Sequence, residues 1–289
     1  MKSNILNNIS LPSDMETKFY RSLVFICIAV LAVIWVLPIY WMVVMSITPN
    51  SFLKFNSTAL WPQGFTLENF LGVLQIGLTI RWFMNSIIVT VLATALTLLL
   101  QSMAAYAFAK IRFKGRNLLY ALTLAGLMVP KEAMFIPLFL MFAQLDLHNT
   151  YAALYLPRVA IPMGVFIMAQ FFKGIPDSVT EAAEIDGASP VRAFFNIILP
   201  MSIPALTSVG IFTYILTWND YLWPLVSATR KEMFTITTGL ASLQGNFAQA
   251  TELGSLMARG VIAGLPLFIL FLIFQKHLIR GISMSSGGK

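Results

Sequence analysis

The chain is short of charge. Only 11% of its 289 residues are Asp, Glu, Lys or Arg, and 58% are hydrophobic, whereas soluble domains carry roughly 25% charged residues. This composition excludes an ordinary soluble domain. The apolar runs are long and do not alternate as barrel strands do, and lipid leaves backbone groups no partner outside a helix or a closed barrel. The sequence therefore predicts an all-α, polytopic membrane protein.

Residues that bind metals and nucleotides are also scarce. Cys27 is the single cysteine, so an intramolecular disulfide is impossible, and His148 and His277 are the two histidines. Since no Cys, His or carboxylate cluster is visible, the sequence predicts no metal site. A nucleotide-binding P-loop, which reads Gly, four residues, Gly-Lys-Ser/Thr, is missing as well. No clustered nucleophile and base point to an enzyme, and ATP-driven work would need a separate partner.

Six apolar runs of about 20 residues have the length that a hydrocarbon core requires. They lie at about 22–47, 84–107, 118–142, 152–172, 202–226 and 261–279. The third run is interrupted by Pro130-Lys131-Glu132 and by Pro137. We therefore expect a single transmembrane domain over residues 1–289 with six helical spans.

The net charge of +7 has two interpretations, nucleic-acid binding or retention of basic loops in the cytoplasm. The positions of the basic residues favour the second, because they concentrate in alternate connections and in both tails. The residues are Lys2, Lys18, Arg21, Lys110, Arg112, Lys114, Arg116, Lys173, Arg192, Lys276, Arg280 and Lys289. This pattern places both termini and the loops at 108–117 and 173–200 in the cytoplasm. The long loops at about 48–83 and 227–258 then face outward.

The loop at 173–200 has the sequence of a helix–turn–helix. Pro176-Asp177-Ser178 is a helix-start signal, and Gly187 fits the left-handed position that ends a helix. Ser189 and Pro190 fit the N-cap and the first position of a second helix. A polar helix–turn–helix between spans cannot lie in lipid, so it is available to a partner on one membrane face.

The exposed surface expected on this loop combines small and acidic residues. Ala182 and Ala183 leave a nearly bare surface that another protein can approach, and Glu181, Glu184 and Asp186 place charge around it. The alternative is a solvated linker with no partner.

The same loop resembles a known family. Its pattern is Glu-Ala-Ala, three residues, Gly, nine residues, Ile, one residue, Leu-Pro, with no departure at Glu181, Ala182, Ala183, Gly187, Ile197, Leu199 and Pro200. This is similar to the "EAA" loop of binding-protein-dependent ATP-binding-cassette importer permeases. Further pieces resemble the carbohydrate-type subgroup that contains the six-span permease of the maltose importer. They are Asn85-Ser86, Met128-Val129-Pro130, Asn149-Thr150-Tyr151 and Trp218-Asn219.

The resemblance implies a type I importer permease fold and a role without bond chemistry. The chain would form half of a sugar pathway in the bacterial cell (inner) membrane, with a second, related permease as the other half. Two cytoplasmic ATPase subunits would bind ATP and Mg²⁺, and this chain would bind no cofactor and no nucleic acid. The ATPase-docking residues would be Glu181, Ala182, Ala183, Asp186 and Gly187.

A solute-binding protein would deliver the sugar from outside. In maltose-type relatives the last outer loop reaches into that protein, and the matching stretch here is about 230–256, with Gly239, Gly245 and Asn246 as flexible polar tip candidates.

Polar residues within the spans are candidates for the substrate path, because ionisable groups at membrane depth usually face a cavity or a partner. The candidates are Arg158, Tyr214, Trp218, Asn219 and Asp220. Arg158 could bind an anionic or hydroxyl-rich cargo, which suggests an acidic or phosphorylated saccharide. The alternatives are an ion pair with Asp220 or Asp146, or snorkelling to the interface. Lys131-Glu132 could line the path or form a self-paired kink.

Two other classes of protein remain as alternatives. A secondary transporter driven by an ion gradient needs membrane-buried carboxylates, and Asp220 is the single one in the second, fifth and sixth spans. A membrane enzyme needs clustered nucleophile, base or metal ligands, which are not seen.

Overall fold

A computed structural model describes residues 14–56, 58–75, 77–244 and 252–286, and over these residues it contains helices and no strand. The helices are α1 Asp14–Ser46, α2 Asn50–Leu53, α3 Glu68–Gln75, α4 Leu78–Lys110, α5 Arg116–Ala125, α6 Phe135–Gln144, α7 Tyr151–Val159, α8 Pro162–Lys173, α9 Asp177–Ile185, α10 Pro190–Met201, α11 Ile203–Trp218, α12 Leu222–Ser227, α13 Ile236–Gln244 and α14 Leu253–Ser286. The all-α prediction is confirmed.

Three helical segments are long and apolar enough to cross a membrane: Tyr20–Ser46, Leu78–Lys110 and Leu253–Gln275. Two bent pairs give up to two more spans, since α7 and α8 meet at 45° and α10 and α11 at 80°. The expected interruption of the third run is confirmed, because α5 ends at Ala125 and α6 begins only at Phe135. The count of six spans stays a prediction.

The fifth run is shorter as a helix than its hydropathy suggests. Helix α11 begins at Ile203, one residue from the expected start, but it ends at Trp218. Residues 219–221 break the helix before α12 begins at Leu222. The run therefore consists of two helices, since Asn219 and Asp220 follow the apolar stretch.

The chain divides into two compact units, Met1–Phe70 with Thr251–Val261 and Leu71–Ala250 with Ile262–Lys289. In the smaller unit the end of α1 packs against Leu53, Leu253 and Met257. The Asn69 side-chain amide donates to the carbonyls of Ser46 and Thr48, each at 2.9 Å. The single-domain organisation stays a prediction.

Helix α4 is the centre of the larger unit and packs against α7, α8 and α11. Most of its buried residues are small or polar rather than large and apolar. They are Thr79, Trp82, Asn85, Ser86, Val89, Thr90, Ala93, Thr97, Gln101, Ser102, Ala105 and Tyr106. Small side chains let helix backbones approach closely inside a membrane, where the hydrophobic effect does not hold helices together.

The break between α7 and α8 is stabilised by α4. Pro162 has no N–H, so the carbonyl of Arg158 loses its ordinary helical partner, and the Thr97 hydroxyl of α4 donates to it instead at 3.4 Å. Gln101 of α4 donates through Nε2 to the carbonyl of Val159 at 2.8 Å. Gly164 leaves the room for this contact, because a Cβ there would lie 1.6 Å from Gln101 Oε1. Two α4 side chains, Thr97 and Gln101, therefore donate to backbone carbonyls at the break.

A substitution of Gln101 tests this account. We expect Gln101→Leu to lower the free energy of unfolding by about 1–3 kcal/mol, because the buried Val159 carbonyl loses its donor. The measurement is thermal unfolding of the purified protein in detergent. Gln170→Leu on the exposed side of α8 is the matched control, and an equal effect of both changes would contradict the assignment.

Candidate functional site

The turn between α9 and α10 has the geometry that the sequence indicates. Gly187 has a φ of +76°, and its N–H donates to the carbonyl of Glu184 at 3.0 Å. The N–H of Ala188 donates to the carbonyl of Ala183 at 2.9 Å. These two bonds form a Schellman motif, which needs a left-handed residue where Gly187 stands. The predicted helix end is confirmed.

The start of α10 is also as predicted. The Ser189 hydroxyl accepts from the Arg192 N–H at 3.3 Å, and Pro190 occupies the first helical position. Capping at both ends of the four-residue connection, 186–189, fixes the direction in which each helix leaves the turn.

The two alanines of α9 differ in exposure. Ala182 is exposed, whereas Ala183 is only 3% exposed, so the expected bare surface of both alanines is wrong for Ala183. The reason is helical periodicity, because Val179 packs on the core and residues four apart share a face. Ala183 therefore faces the protein, while Glu181, Asp186 and Gly187 are exposed.

Two exposed apolar side chains flank the turn, and sequence reasoning missed both. Ile185 is 86% exposed and Val191 63% exposed. A large apolar side chain in a charged loop is the signal that was available, since such exposure often marks a protein contact. We call the exposed residues Glu181, Ala182, Ile185, Asp186 and Val191 the docking surface.

The base of this loop is tied to the end of α4. Lys110 Nζ donates to the carbonyl of Ile175 at 2.5 Å and to Asp177 Oδ1 at 2.6 Å. The hydrogen bond to Lys110 and its positive charge lower the pKa of the Asp177 carboxyl, and Arg112 adds to the effect. Asp177 therefore stays ionised at neutral pH.

Arg158 and Asp220 form a buried ion pair. Arg158 Nε donates to Asp220 Oδ2 at 2.8 Å, and Nη2 contacts the same oxygen. The two side chains are 16% and 8% exposed. Of the partners considered from the sequence, the structure selects Asp220, while Asp146 is exposed.

A narrow cavity adjoins this pair at the break between α7 and α8. Its polar lining comes from Thr97, Gln101, Arg158, Thr213 and Thr217. The Thr217 hydroxyl is buried and has no hydrogen-bond partner among the described residues.

The other path candidates do not converge on the ion pair. Trp218 is buried and donates through Nε1 to the Ala263 carbonyl at 3.1 Å. The Tyr214 ring lies parallel to it, with centroids 6.1 Å apart. The Asn219 amide donates at 3.0 Å to the carbonyl of Ile215 in its own helix. These contacts give the three residues packing and capping roles, and a role in the path stays a prediction.

Lys131 and Glu132 lie opposite each other in the break after α5. Their charged atoms are 3.8 Å apart, and both side chains are largely exposed. The arrangement matches the self-paired kink that was the alternative to a path role.

The Asn85-Ser86 pair holds a distant segment of the chain. Asn85 Nδ2 donates to the carbonyls of Glu232 and Phe234, at 2.8 and 2.9 Å. The Ser86 hydroxyl accepts from the N–H of Ile236 at 2.8 Å. The N-terminal part of α4 therefore fixes the segment that leads into α13.

Gly239 is part of this attachment rather than of a loop tip. It lies within α13, and a Cβ there would be 2.1 Å from the Trp82 ring. Trp82 is itself held by its Nε1 donation to the Lys231 carbonyl at 2.7 Å. The flexible-tip prediction is therefore wrong for Gly239, because close helix packing requires the glycine. Gly245 and Asn246 lie outside the described residues.

Known proteins are similar to this chain over most of its length. The profile of the family described as "Binding-protein-dependent transport system inner membrane component" matches residues 98–284. The arabinooligosaccharides transport system permease protein AraQ of Halalkalibacterium halodurans is 37% identical over 259 residues, 89% of this chain and 92% of that protein. The trehalose/maltose transport system permease protein MalG of Thermococcus litoralis is 36% identical, over 93% of this chain and 97% of that protein.

A solved structure has the same fold. It is the crystal structure of a bacterial ABC transporter involved in the import of the acidic polysaccharide alginate. One of its chains matches with a TM-score of 0.82 and 22% identity, covering 90% of this chain and 97% of that chain. The fold prediction of an importer permease is confirmed.

The contact between Gly239 and Trp82 can be tested directly. We expect Gly239→Ala to destabilise the protein by about 1–3 kcal/mol, because the added methyl group meets a ring that cannot shift without losing a hydrogen bond. Gly264→Ala in α14 is the matched control, since nothing lies within 4 Å of a Cβ there. Thermal unfolding in detergent measures both variants. Unchanged stability of Gly239→Ala would refute the close packing.

Proposed function

The chain belongs to the family of inner membrane components of binding-protein-dependent transport systems, and from that premise we propose that it is one permease subunit of an ATP-driven carbohydrate importer. It is a transport subunit and not an enzyme. Its spans form half of the translocation pathway, and a second, related permease forms the other half. Two partner subunits bind ATP and Mg²⁺ and hydrolyse the nucleotide.

The docking surface is the observation that carries this proposal. Ile185 and Val191 expose apolar side chains on either side of a rigid turn, and exposed Glu181 and Asp186 lie beside them. The matching partner surface has an apolar groove with a basic rim. A cytoplasmic ATPase that grips this surface can push on the membrane helices without entering the membrane.

The ends of α4 support a topology with the ATPase and the binding protein on opposite faces. Helix α4 has 33 residues, so it is about 50 Å long. Its C-terminal Lys110 contacts Ile175 and Asp177, next to the docking surface, and its N-terminal part holds the segment near Ile236. With the basic loops in the cytoplasm, both termini are cytoplasmic and α13 faces outward, where a binding protein delivers the cargo.

Helix α1 supports the second permease as a partner. Among the α1 residues whose burial the structure describes, 20–46, those buried in the smaller unit are Val44, Met45 and Ser46, at the C-terminal end. The remaining apolar surface of the helix suits lipid or a related membrane subunit.

Substitution of the docking surface tests the function. We expect Glu181→Lys and Ile185→Asp each to abolish copurification of the ATPase and ATP-driven uptake, because they place a positive charge against a basic rim or a charge in an apolar groove. Glu132→Lys, at another exposed carboxylate, is the control and should leave both unchanged. The measurements use the complete complex in proteoliposomes, with the binding protein and labelled oligosaccharide.

Uphill uptake by the purified chain alone, driven by an ion gradient, would instead identify a secondary transporter. Full uptake by Glu181→Lys and Ile185→Asp would remove the docking surface from the mechanism.

We propose a neutral oligosaccharide as the cargo. The acidic-cargo expectation required an Arg158 with a free charge, but Arg158 is paired with Asp220. The relatives are named for arabinooligosaccharides and for trehalose or maltose, which supports a neutral saccharide. A binding screen of the partner binding protein against neutral and uronate oligosaccharides tests this point.

The ion pair has its own test in this chain. We expect Arg158→Gln to destabilise the protein by about 3–5 kcal/mol, because it leaves the buried Asp220 carboxylate uncompensated. Addition of Asp220→Asn should recover much of that loss in thermal unfolding. The uptake of neutral and acidic sugars by Arg158→Gln should fall by the same factor. A stable Arg158→Gln variant that loses only the uptake of acidic sugars would instead indicate that Arg158 binds an anionic group of the cargo.

A further inference from the structure

We propose that Lys110 is a positioning residue that locks the docking helix α9 to the membrane helix α4, so that a movement of α9 is transmitted to α4. The inference rests on the proposed function, because it assigns the contact through which an ATPase bound at the docking surface moves a span.

The position of Lys110 is unusual for a lysine at a helix end. The flanking residues Arg112 and Lys114 are exposed, whereas the Lys110 side chain is 3% exposed. Its ammonium group bridges two groups of the segment that leads into α9, the Ile175 carbonyl at 2.5 Å and the Asp177 carboxylate at 2.6 Å. Within the described part of the chain, no second ion pair joins α9 to α4.

Charge and hydrogen bonding hold this contact in place. Moving an ammonium group out of water costs free energy unless the group is paired. The buried Lys110 ammonium must therefore keep these partners or move into water. Asp177 is the first residue of α9, where the helix dipole favours a carboxylate. Hydrogen bonding to Lys110 also lowers the pKa of Asp177. Asp177 therefore keeps its charge at neutral pH.

The apolar core around the contact cannot perform the same task alone. Tyr106, Phe172, Ile175 and Phe194 are buried together below the loop, and apolar burial is non-directional. Such a core resists separation of α9 from α4 but tolerates sliding. A charged group with two fixed partners sets the register, and the core buries the Lys110 side chain, while the Asp177 carboxylate is 72% exposed.

The first experiment measures coupling in the complete reconstituted complex. We expect Lys110→Met to lower the ratio of cargo taken up to ATP hydrolysed by about fivefold or more, the lower end of ordinary coupling between sites, while the ATPase still copurifies. Lys114→Met, an exposed lysine four residues away, is the matched control and should keep the wild-type ratio. Lys110→Arg, which can donate to both partners, should restore most of the ratio. An unchanged ratio in Lys110→Met would overturn the proposal.

The second experiment measures the contact without transport. Amide hydrogen exchange in the purified chain should become faster in the first turn of α9 in Lys110→Met and stay unchanged in Lys114→Met. No difference between the two variants would overturn the lock. If the wild-type complex takes up no cargo with ATP, the proposed function fails and the transmission role fails with it, while hydrogen exchange still reports on the contact itself.

Discussion

Helix α4 carries buried polar side chains that need hydrogen-bond partners, and the segments packed against it in the larger unit supply them. Gln101 donates a hydrogen bond to the Val159 carbonyl at the break between α7 and α8. Asn85 donates to the carbonyls of Glu232 and Phe234. Lys110 donates to the Ile175 carbonyl and the Asp177 carboxylate. These partners are backbone carbonyls, except for the Asp177 carboxylate, which is charged. Three segments distant in sequence thus obtain fixed positions along one helix.

The length of α4 matters for function, because the helix is longer than the hydrocarbon core of a membrane is thick. A hydrocarbon core is about 30 Å thick, and a helix of 33 residues exceeds it by several turns. Asn85 and Lys110 are 25 residues apart, or about 38 Å along the helix axis, so the two polar contacts are separated by more than the thickness of that layer, one near α13 and one near the docking surface. A continuous helix with attachments at both ends can carry a displacement from one membrane face to the other, which a broken span cannot do as directly.

Local features of the fold and the site could be predicted from the sequence, because they depend on residues close together in the chain. The left-handed Gly187, the Ser189 cap and the break after α5 are of this kind. Tertiary features could not be predicted. Ala183 turns inward because Val179 does, Gly239 is required by the Trp82 ring, and Asn85 bonds residues about 150 positions away. Arg158 is an intermediate case. The sequence predicts that an arginine within a span needs a partner, but the choice of Asp220 over Asp146 depends on the fold.

The break between α7 and α8 is stabilised by side chains of neighbouring helices. A helix break normally leaves carbonyls unpaired, and at membrane depth each costs free energy. Gln101 removes that cost at the junction of α7 and α8 by supplying a donor from a neighbouring helix. The 45° bend is then stable without continuity of the backbone hydrogen bonds. Because the donor is on α4, and because Arg158 beside the break is paired with Asp220 just after α11, we expect a shift of α4 to change the geometry of the break and of the ion pair together. Apolar packing is non-directional, so we expect the polar contacts, rather than the packing, to couple the bent spans to the straight one.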